Sequence, residues 1–126
     1  MNTLYLLIVG SRTIINYNQI APTLDALINS FNYDSYVVVS GGAKGVDFLA
    51  ELWADNHNFE KRIFKADWKL YGKKAGFIRN EEMHKFIAQY SNRLVVAFWD
   101  GQSKGTQQNF DLAEKYKNPL VKYLVK

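Results

Sequence analysis

Apolar residues recur along this chain in two alternating rhythms. Leu4-Tyr5-Leu6-Leu7-Ile8-Val9 is apolar at every position, as a strand buried on both faces is. Gly10-Ser11-Arg12 ends it, and a polar loop runs to about Asn18. Ile20, Leu24, Leu27, Ile28 and Phe31 then recur at spacings of three and four, the stripe of an amphipathic helix, with Pro22 suited to its first turn. Asn32-Tyr33-Asp34-Ser35 reads as a turn and Tyr36 to Val39 as a second strand. Val46, Leu49, Ala50 and Trp53 mark the inner face of a helix from about Gly45 to Asn56. Ile63-Phe64 centres a short third strand, and Ala66 to Gly72 reads as a loop carrying Trp68 and Tyr71. Phe77, Met83, Phe86 and Ile87 predict a helix over roughly Lys73 to Gln89, followed by a strand from Leu94 to Trp99. A Gly-Thr start at Gly105 opens a helix to Lys117, with Phe110, Leu112, Ala113 and Tyr116 apolar. Asn118-Pro119 stops it, and Leu120 to Val125 is the last strand.

Strict alternation of strand and helix predicts an α/β fold: a Rossmann-like three-layer sandwich with a five-stranded parallel sheet. Right-handed crossovers then favour the strand order 3-2-1-4-5. In such a sheet the chain reverses direction between strands 1 and 4. Ligands bind in the crevice beyond the carboxyl ends of the strands at that point. No repeat or linker divides the sequence, so residues 1–126 are expected to form one domain.

Composition narrows the class of function. With 48% apolar residues the chain can bury a core. It has no cysteine, which removes disulfides and thiolate metal sites and fits a cytoplasmic location. The longest apolar run is far short of a membrane span, and no secretory leader pattern precedes it, so no membrane partner is expected. The net charge of +4 is unevenly placed. Residues 61–126 carry 14 basic and 6 acidic side chains, against 2 and 6 in residues 1–60. The second half would attract an anion.

Three turns follow predicted strands and face the expected crevice: Gly10-Ser11-Arg12, Ser40-Gly41-Gly42-Ala43-Lys44-Gly45-Val46-Asp47, and Asp100-Gly101-Gln102-Ser103-Lys104-Gly105-Thr106. Glycines allow a backbone to approach a ligand closely, and the first amides of a helix lack partners and attract anions. The second turn has neither P-loop nor Gly-x-Gly-x-x-Gly spacing, and a ligand-free strand–helix turn is the ordinary alternative. Asp47 is a helix cap or a ribose or base acceptor; Asp100 orients a ribose or caps Ser103. Arg12 and Arg79, the latter beside Asn80, are candidate anion clamps; a surface pair of Arg79 with Glu81 or Glu82 is the alternative. Trp68 and Tyr71 either stack on a base or seal the sheet edge, and Trp99 is open to the same two readings. His57 and His84 have no metal-ligand spacing around them, so no metal is expected and both read as structural or surface residues.

Val9-Gly10-Ser11-Arg12, Ser40 to Asp47, Ala66-Asp67-Trp68, Gly72-Lys73-Lys74-Ala75-Gly76 with Arg79-Asn80 and Met83, and Phe98 to Thr106 together resemble the YspA-like branch of the SLOG superfamily. The likeness runs from about residue 5 to 125. The superfamily is Rossmann-like, and its members, which include the Lonely Guy phosphoribohydrolases and the DNA-processing protein DprA, bind nucleotides or their derivatives. The resemblance therefore implies a nucleotide or nucleotide-derived small molecule as the partner, with no separate cofactor. It places Asp67 with the ligand-binding set. Arg79 resembles the arginine that the phosphoribohydrolases use, together with a glutamate after their Gly-Thr turn, to cleave the N-glycosidic bond. Here Gly105-Thr106 is followed by Gln107-Gln108-Asn109, and a neutral amide cannot do a carboxylate's work at an oxocarbenium-like centre. Arg79 and Asp100 are the catalytic candidates if the protein is an enzyme.

The expected function is binding of a nucleotide or nucleotide-derived signal, as a sensor or a sequestering protein such as a phage uses against host defence. A nucleotide N-glycosidase is the second reading, and single-stranded nucleic-acid binding through the basic half is the third. A homo-oligomer is expected, because an aromatic content of 15% leaves apolar surface to cover.

Overall fold

A computed structural model describes residues 2–126. Five strands form one parallel sheet: β1 (Thr3–Gly10), β2 (Ser35–Ser40), β3 (Glu60–Ile63), β4 (Arg93–Trp99) and β5 (Leu120–Leu124). Their spatial order is β3-β2-β1-β4-β5, as the alternation predicts, and every neighbouring pair is parallel. The helices are α1 (Ala21–Asn29), α2 (Val46–Asn56), α3 (Trp68–Tyr71), α4 (Ala75–Ile87) and α5 (Lys104–Lys115). Leu4, Leu6, Ile8, Val38, Val96 and Phe98 pack on one face against α1 and α2. Leu7, Val9, Val39, Val95 and Ala97 pack on the other against α4 and α5. Side chains alternate across a strand, so β1, buried from Leu6 to Val9, feeds both layers.

Three local expectations are corrected. The third strand spans Glu60–Ile63 and so is not centred on Ile63-Phe64; Ile63 is its last residue and Phe64 lies beyond it. Its residues Glu60, Lys61 and Arg62 are polar because the strand sits at a sheet edge and pairs only with β2. Charge on an edge strand is a common protection against unwanted pairing, and it hides the strand from hydrophobic pattern. Trp68–Tyr71 is a helical turn, not loop, because the Asp67 carboxylate accepts from the Leu70 amide at 3.1 Å and caps it. A 3-10 turn at Gly72–Lys74 then delays α4 to Ala75. The cap of α5 is Ser103, whose hydroxyl accepts from the Thr106 amide, and not the Gly-Thr pair.

The sheet's carboxyl edge is tied together by backbone contacts. The Ser11 amide donates to the Phe98 carbonyl at 3.0 Å, across the point where the chain reverses. The Val46 amide donates to the Ser11 carbonyl at 3.4 Å. The three turns therefore share one edge, and the first of them touches both of the others.

Candidate functional site

A cleft of about 420 Å³ opens at that edge, within the range of small-ligand sites. Its floor is Gly10 and the Asp47 side chain; α4 supplies Arg79 and Asn80, and α5 supplies Thr106 and Asn109. Arg79 is buried, and its guanidinium is fixed from behind: Nε donates to Asn80 Oδ1 at 2.8 Å, and Nη1 donates to the Gly41 carbonyl. Asn80 passes the constraint on, donating from Nδ2 to Gln108 Oε1 at 2.8 Å, while Gln108 Nε2 donates to the Phe77 carbonyl at 3.1 Å. A rigid scaffold of this kind presets the fork's direction before any ligand arrives. Arg12, on the opposite lip, is exposed and has no ion-pair partner among the described residues.

The charges in this cleft only partly balance one another. Burial weakens the Arg79 charge; Asp47 supports it, and the like charge of Arg12 opposes it. Asp47 accepts from the Ala43 amide at 3.2 Å. Burial pushes its carboxyl up to about 6, against the pull of Arg79. A perturbed carboxyl beside two convergent arginines in a cleft is the pattern of a functional site.

Asp100 has a different part. Its Oδ1 accepts from the Gln102 and Ser103 amides, each at 2.8 Å, and its Oδ2 accepts from the Thr13 hydroxyl at 2.6 Å. The Thr13 hydroxyl and those amides hold the carboxyl down at about 2. The side chain thus clips the β1–α1 loop to the β4–α5 turn while lining the cleft.

The model of the YspA, cpYpsA-related SLOG family matches residues 5–71. The Gene 61 protein of Mycobacterium phage D29 is 35% identical over 124 residues, which is 93% of this chain and 94% of that protein. The chain belongs to the SLOG family. Membership points to a function related to nucleotides or nucleic acids. Among solved structures, DNA processing protein A (DprA) from Streptococcus pneumoniae superposes with a TM-score of 0.68 at 16% identity, covering 98% of this chain and 51% of that one. The chain thus spans about half the length of DprA. The C-terminal domain of the PF1911 hydrogenase from Pyrococcus furiosus gives a TM-score of 0.55 at 15% identity, covering 95% and 91%. Both likenesses show the shared fold.

Of the residues expected to bind a ligand, the cleft brings together Gly10, Arg12, Ala43, Asp47, Trp68, Arg79, Asn80, Asp100, Ser103, Gly105 and Thr106, and it adds Val9, Lys73, Gly76, Met83 and Gln102 from the same motifs. Others stand behind it. Ser11 Oγ accepts from the Asp100 amide, and Ser40 Oγ donates to Glu51 Oε2 at 2.7 Å, latching the turn to α2. Gly45 packs on Arg12 backbone, and Gly101 faces Leu124. Asp67 is the α3 cap. Gly41, Gly42 and Lys44 lie in an adjoining depression. Tyr71 does not line the cleft, and the Trp99 indole is a structural group that donates to the Ser103 carbonyl. The surface pairing of Arg79 with Glu81 or Glu82 is overturned: Arg79 is buried and in no ion pair among the described residues, while Glu81 accepts from Lys115 Nζ and the Tyr116 hydroxyl, each at 2.6 Å. Sequence reasoning missed Thr13, Phe77 and Asn109 in the lining. Their partners lie far along the chain, so no local pattern marks them.

His84 is wholly buried and holds the far wall. Arg93 Nε donates to Asn118 Oδ1 at 2.6 Å, Asn118 Nδ2 donates to His84 Nδ1 at 3.1 Å, His84 Nε2 donates to Asn109 Oδ1 at 3.0 Å, and Asn109 Nδ2 donates to the Gly105 carbonyl at 3.1 Å. The neighbours' donors fix the tautomer with the proton on Nε2. Burial lowers the imidazole to about 4, so it stays neutral. Among the described residues no group of three or more His, Asp and Glu side chains is placed to hold a metal ion, and no helix is long and apolar enough to cross a membrane.

The two buried groups give opposite pH dependences. The lowered pKa of His84 makes its stabilisation complete above about 6.5, and it is lost as pH falls toward about 4. The raised pKa of Asp47 makes its contribution complete below 3.8, and it is lost as pH rises through about 6. Between those limits the slopes offset each other. We therefore expect Asp47→Asn to be more stable than the parent by roughly 2–3 kcal/mol at pH 7.5, since a neutral amide carries no buried charge. In urea titrations the advantage should shrink toward zero near pH 4. The variant should also show the unmasked His84 slope, up to about 1.4 kcal/mol per pH unit. A variant that is less stable at pH 7.5, or that has a flat profile, would contradict this reading of the two groups.

Proposed function

We propose that this protein binds a nucleotide or nucleotide-derived small molecule in the cleft, acting as a sensor or sequestering protein rather than as a hydrolase. The observation that carries the reading is the convergence of Arg12 and Arg79 on one cleft, where the like charge of Arg12 opposes that of Arg79 and Asp47 compensates only in part. A phosphate between them relieves that repulsion and receives charge-assisted hydrogen bonds from a planar fork. Ser103, Gly105 and Thr106 at the start of α5 lie alongside, where helix amides favour an anion. Trp68, about half exposed at the cleft's mouth, offers an indole face to a base. Membership of the SLOG family supports the same class of ligand.

The amides after Thr106 favour recognition over hydrolysis. Gln108 is engaged with Asn80 and Phe77, and Asn109 with His84 and Gly105. Neither can take a proton from water. Mass spectrometry of the supernatant after denaturing freshly purified protein is expected to reveal an intact nucleotide-class molecule, and titration calorimetry with nucleotides to show saturable binding. Incubation with a nucleoside-monophosphate panel decides against hydrolysis if every substrate is recovered. Release of free base that disappears in Arg79→Ala would replace binding with N-glycosidase activity.

A further inference from the structure

The two edges of the sheet are built differently. β3 presents Glu60, Lys61 and Arg62, and its charges are paired: Lys61 Nζ with Asp55 at 2.7 Å and Arg62 Nε with Glu60 at 2.6 Å. Charge at an edge discourages a further strand from joining. β5 reads Leu120-Val121-Lys122-Tyr123-Leu124; its one charge is in no ion pair among the described residues, and it pairs only with β4 there. The Pro119 carbonyl accepts from the Val95 amide, and the Val125 amide donates to the Trp99 carbonyl, each at 2.8 Å. Backbone groups alternate in direction along a strand, so those of Val121 and Tyr123 also face β4. The amides and carbonyls of Lys122 and Leu124 therefore face outward, in a row that a further strand can complete. Tyr123 and Val125 pack on the α1 face of the sheet. Lys122 lies over the Phe110 ring on the α5 face, and Leu124, 60% exposed, shares that face.

The sequence of β5 fits a second copy of itself. In an antiparallel pair, outward-facing residues must oppose outward-facing residues. A pair centred on Lys122 sets Lys122 against Lys122, and one centred on Leu124 sets Lys122 against Lys126. A pair centred on Val121 leaves Leu124 opposite Asn118, outside the strand. Centred on Tyr123, the pair sets Lys122 against Leu124, Val121 against Val125 and Tyr123 against Tyr123, with no like charges opposed. We infer that the protein is a two-fold dimer in which the β5 strands of two copies pair antiparallel, centred on Tyr123, and join the two sheets into one. A hollow of about 500 Å³ beside Tyr123, bordered by Pro22, Ala26 and Leu27 of α1, has no charged residue in its lining, so no charge opposes the approach of the two α1 helices. The guarded β3 edges stay outside, so assembly closes at two copies. Because the paired strands run in opposite directions, the two clefts open at opposite ends of the joined sheet. The dimer is thus independent of what the cleft binds.

Sedimentation velocity of the full chain over a dilution series tests it, and a dimer is expected. Leu124→Lys opposes two lysines at both ends of the pairing and should weaken association by about tenfold or more, whereas Leu124→Glu sets a carboxylate against Lys122 and should leave it level or tighter. The chain has no cysteine, so an introduced thiol reports the register. Tyr123→Cys should give a disulfide-linked dimer under mild oxidation, because residues opposed across the axis bring their Cα atoms to about 4.5 Å. Lys122→Cys should not, because its counterpart is displaced by two residues along the strand. A monomer throughout the series, a dimer that both Leu124 variants affect alike, or cross-linking through Lys122→Cys and not Tyr123→Cys overturns the inference. Should Tyr123→Cys fail to fold by circular dichroism, having lost the stacking of Tyr123 on Phe98, the two Leu124 variants decide alone.

Discussion

Arg79→Ala is expected to weaken nucleotide binding by roughly 100-fold or more, the loss of two charge-assisted hydrogen bonds to a phosphate at about 1.5–3 kcal/mol each. The residue's burial and its fixed orientation make the effect large. A surface arginine would first have to be ordered by the ligand, whereas this one is held by Asn80 and the Gly41 carbonyl. Arg79→Lys is a sharper test than alanine. A lysine keeps the charge but has no planar fork, so it cannot satisfy Asn80 and Gly41 and still present two donors to an anion. We expect the lysine variant to remain closer to alanine than to the parent in titration calorimetry. Parent-like affinity in the lysine variant would mean that Arg79 acts only as a point charge. The fold should survive both changes, because burial already disfavours the guanidinium's charge.

Gly45→Ala should be the most damaging small change to the fold. A β-carbon there would lie 2.5 Å from Arg12 Cα and 2.6 Å from the Ser11 carbonyl oxygen, and the residue has φ near +79°. The close atoms are backbone, so no side-chain rotation relieves the clash. Together the backbone conformation and the overpacking cost on the order of 3–6 kcal/mol. That is a large share of the stability of a domain of this size and lowers the melting midpoint by roughly 10–20 °C. Gly105→Ala is the matched contrast, since no atom lies within 4 Å of its added carbon. It should leave the melting midpoint level or raise it slightly, as alanine favours the helix. Similar losses in the two variants, read by thermal unfolding, would contradict the close packing of the first two turns.

The sheet order and the layers were legible because the central strands are buried on both faces and the helices keep a clear apolar stripe. Legibility failed where burial is one-sided or absent. Ile63 and Phe64 announced β3 but its charged residues Glu60 to Arg62 hid where it begins, and the four-residue α3 is too short for periodicity, although Asp67 three residues before Leu70 was a readable cap. The site divides in the same way. Glycines and charged residues at strand ends announced the three turns. What each residue does there depends on contacts made across the chain. Arg79 could be read as an anion clamp or as half of a surface ion pair until its bond to Gly41, 38 residues away, placed it inside. Asp100 was open to two roles, ribose contact or a cap on Ser103; its carboxylate does accept from the Ser103 amide, and the bond from Thr13, 87 residues away, had no local signal. Ser11 and Ser40 are turn residues by pattern but latches by position.

The relay through His84 has a spectroscopic consequence. Its Nε2 proton is sealed from solvent and held by Asn109, so it should exchange slowly and give a resolved downfield resonance in the proton NMR spectrum of unlabelled protein. Asn109 borders the cleft with its other face. That single resonance would then shift when the cleft is filled, a built-in reporter of occupancy that needs neither isotope nor dye and responds to whichever molecule binds.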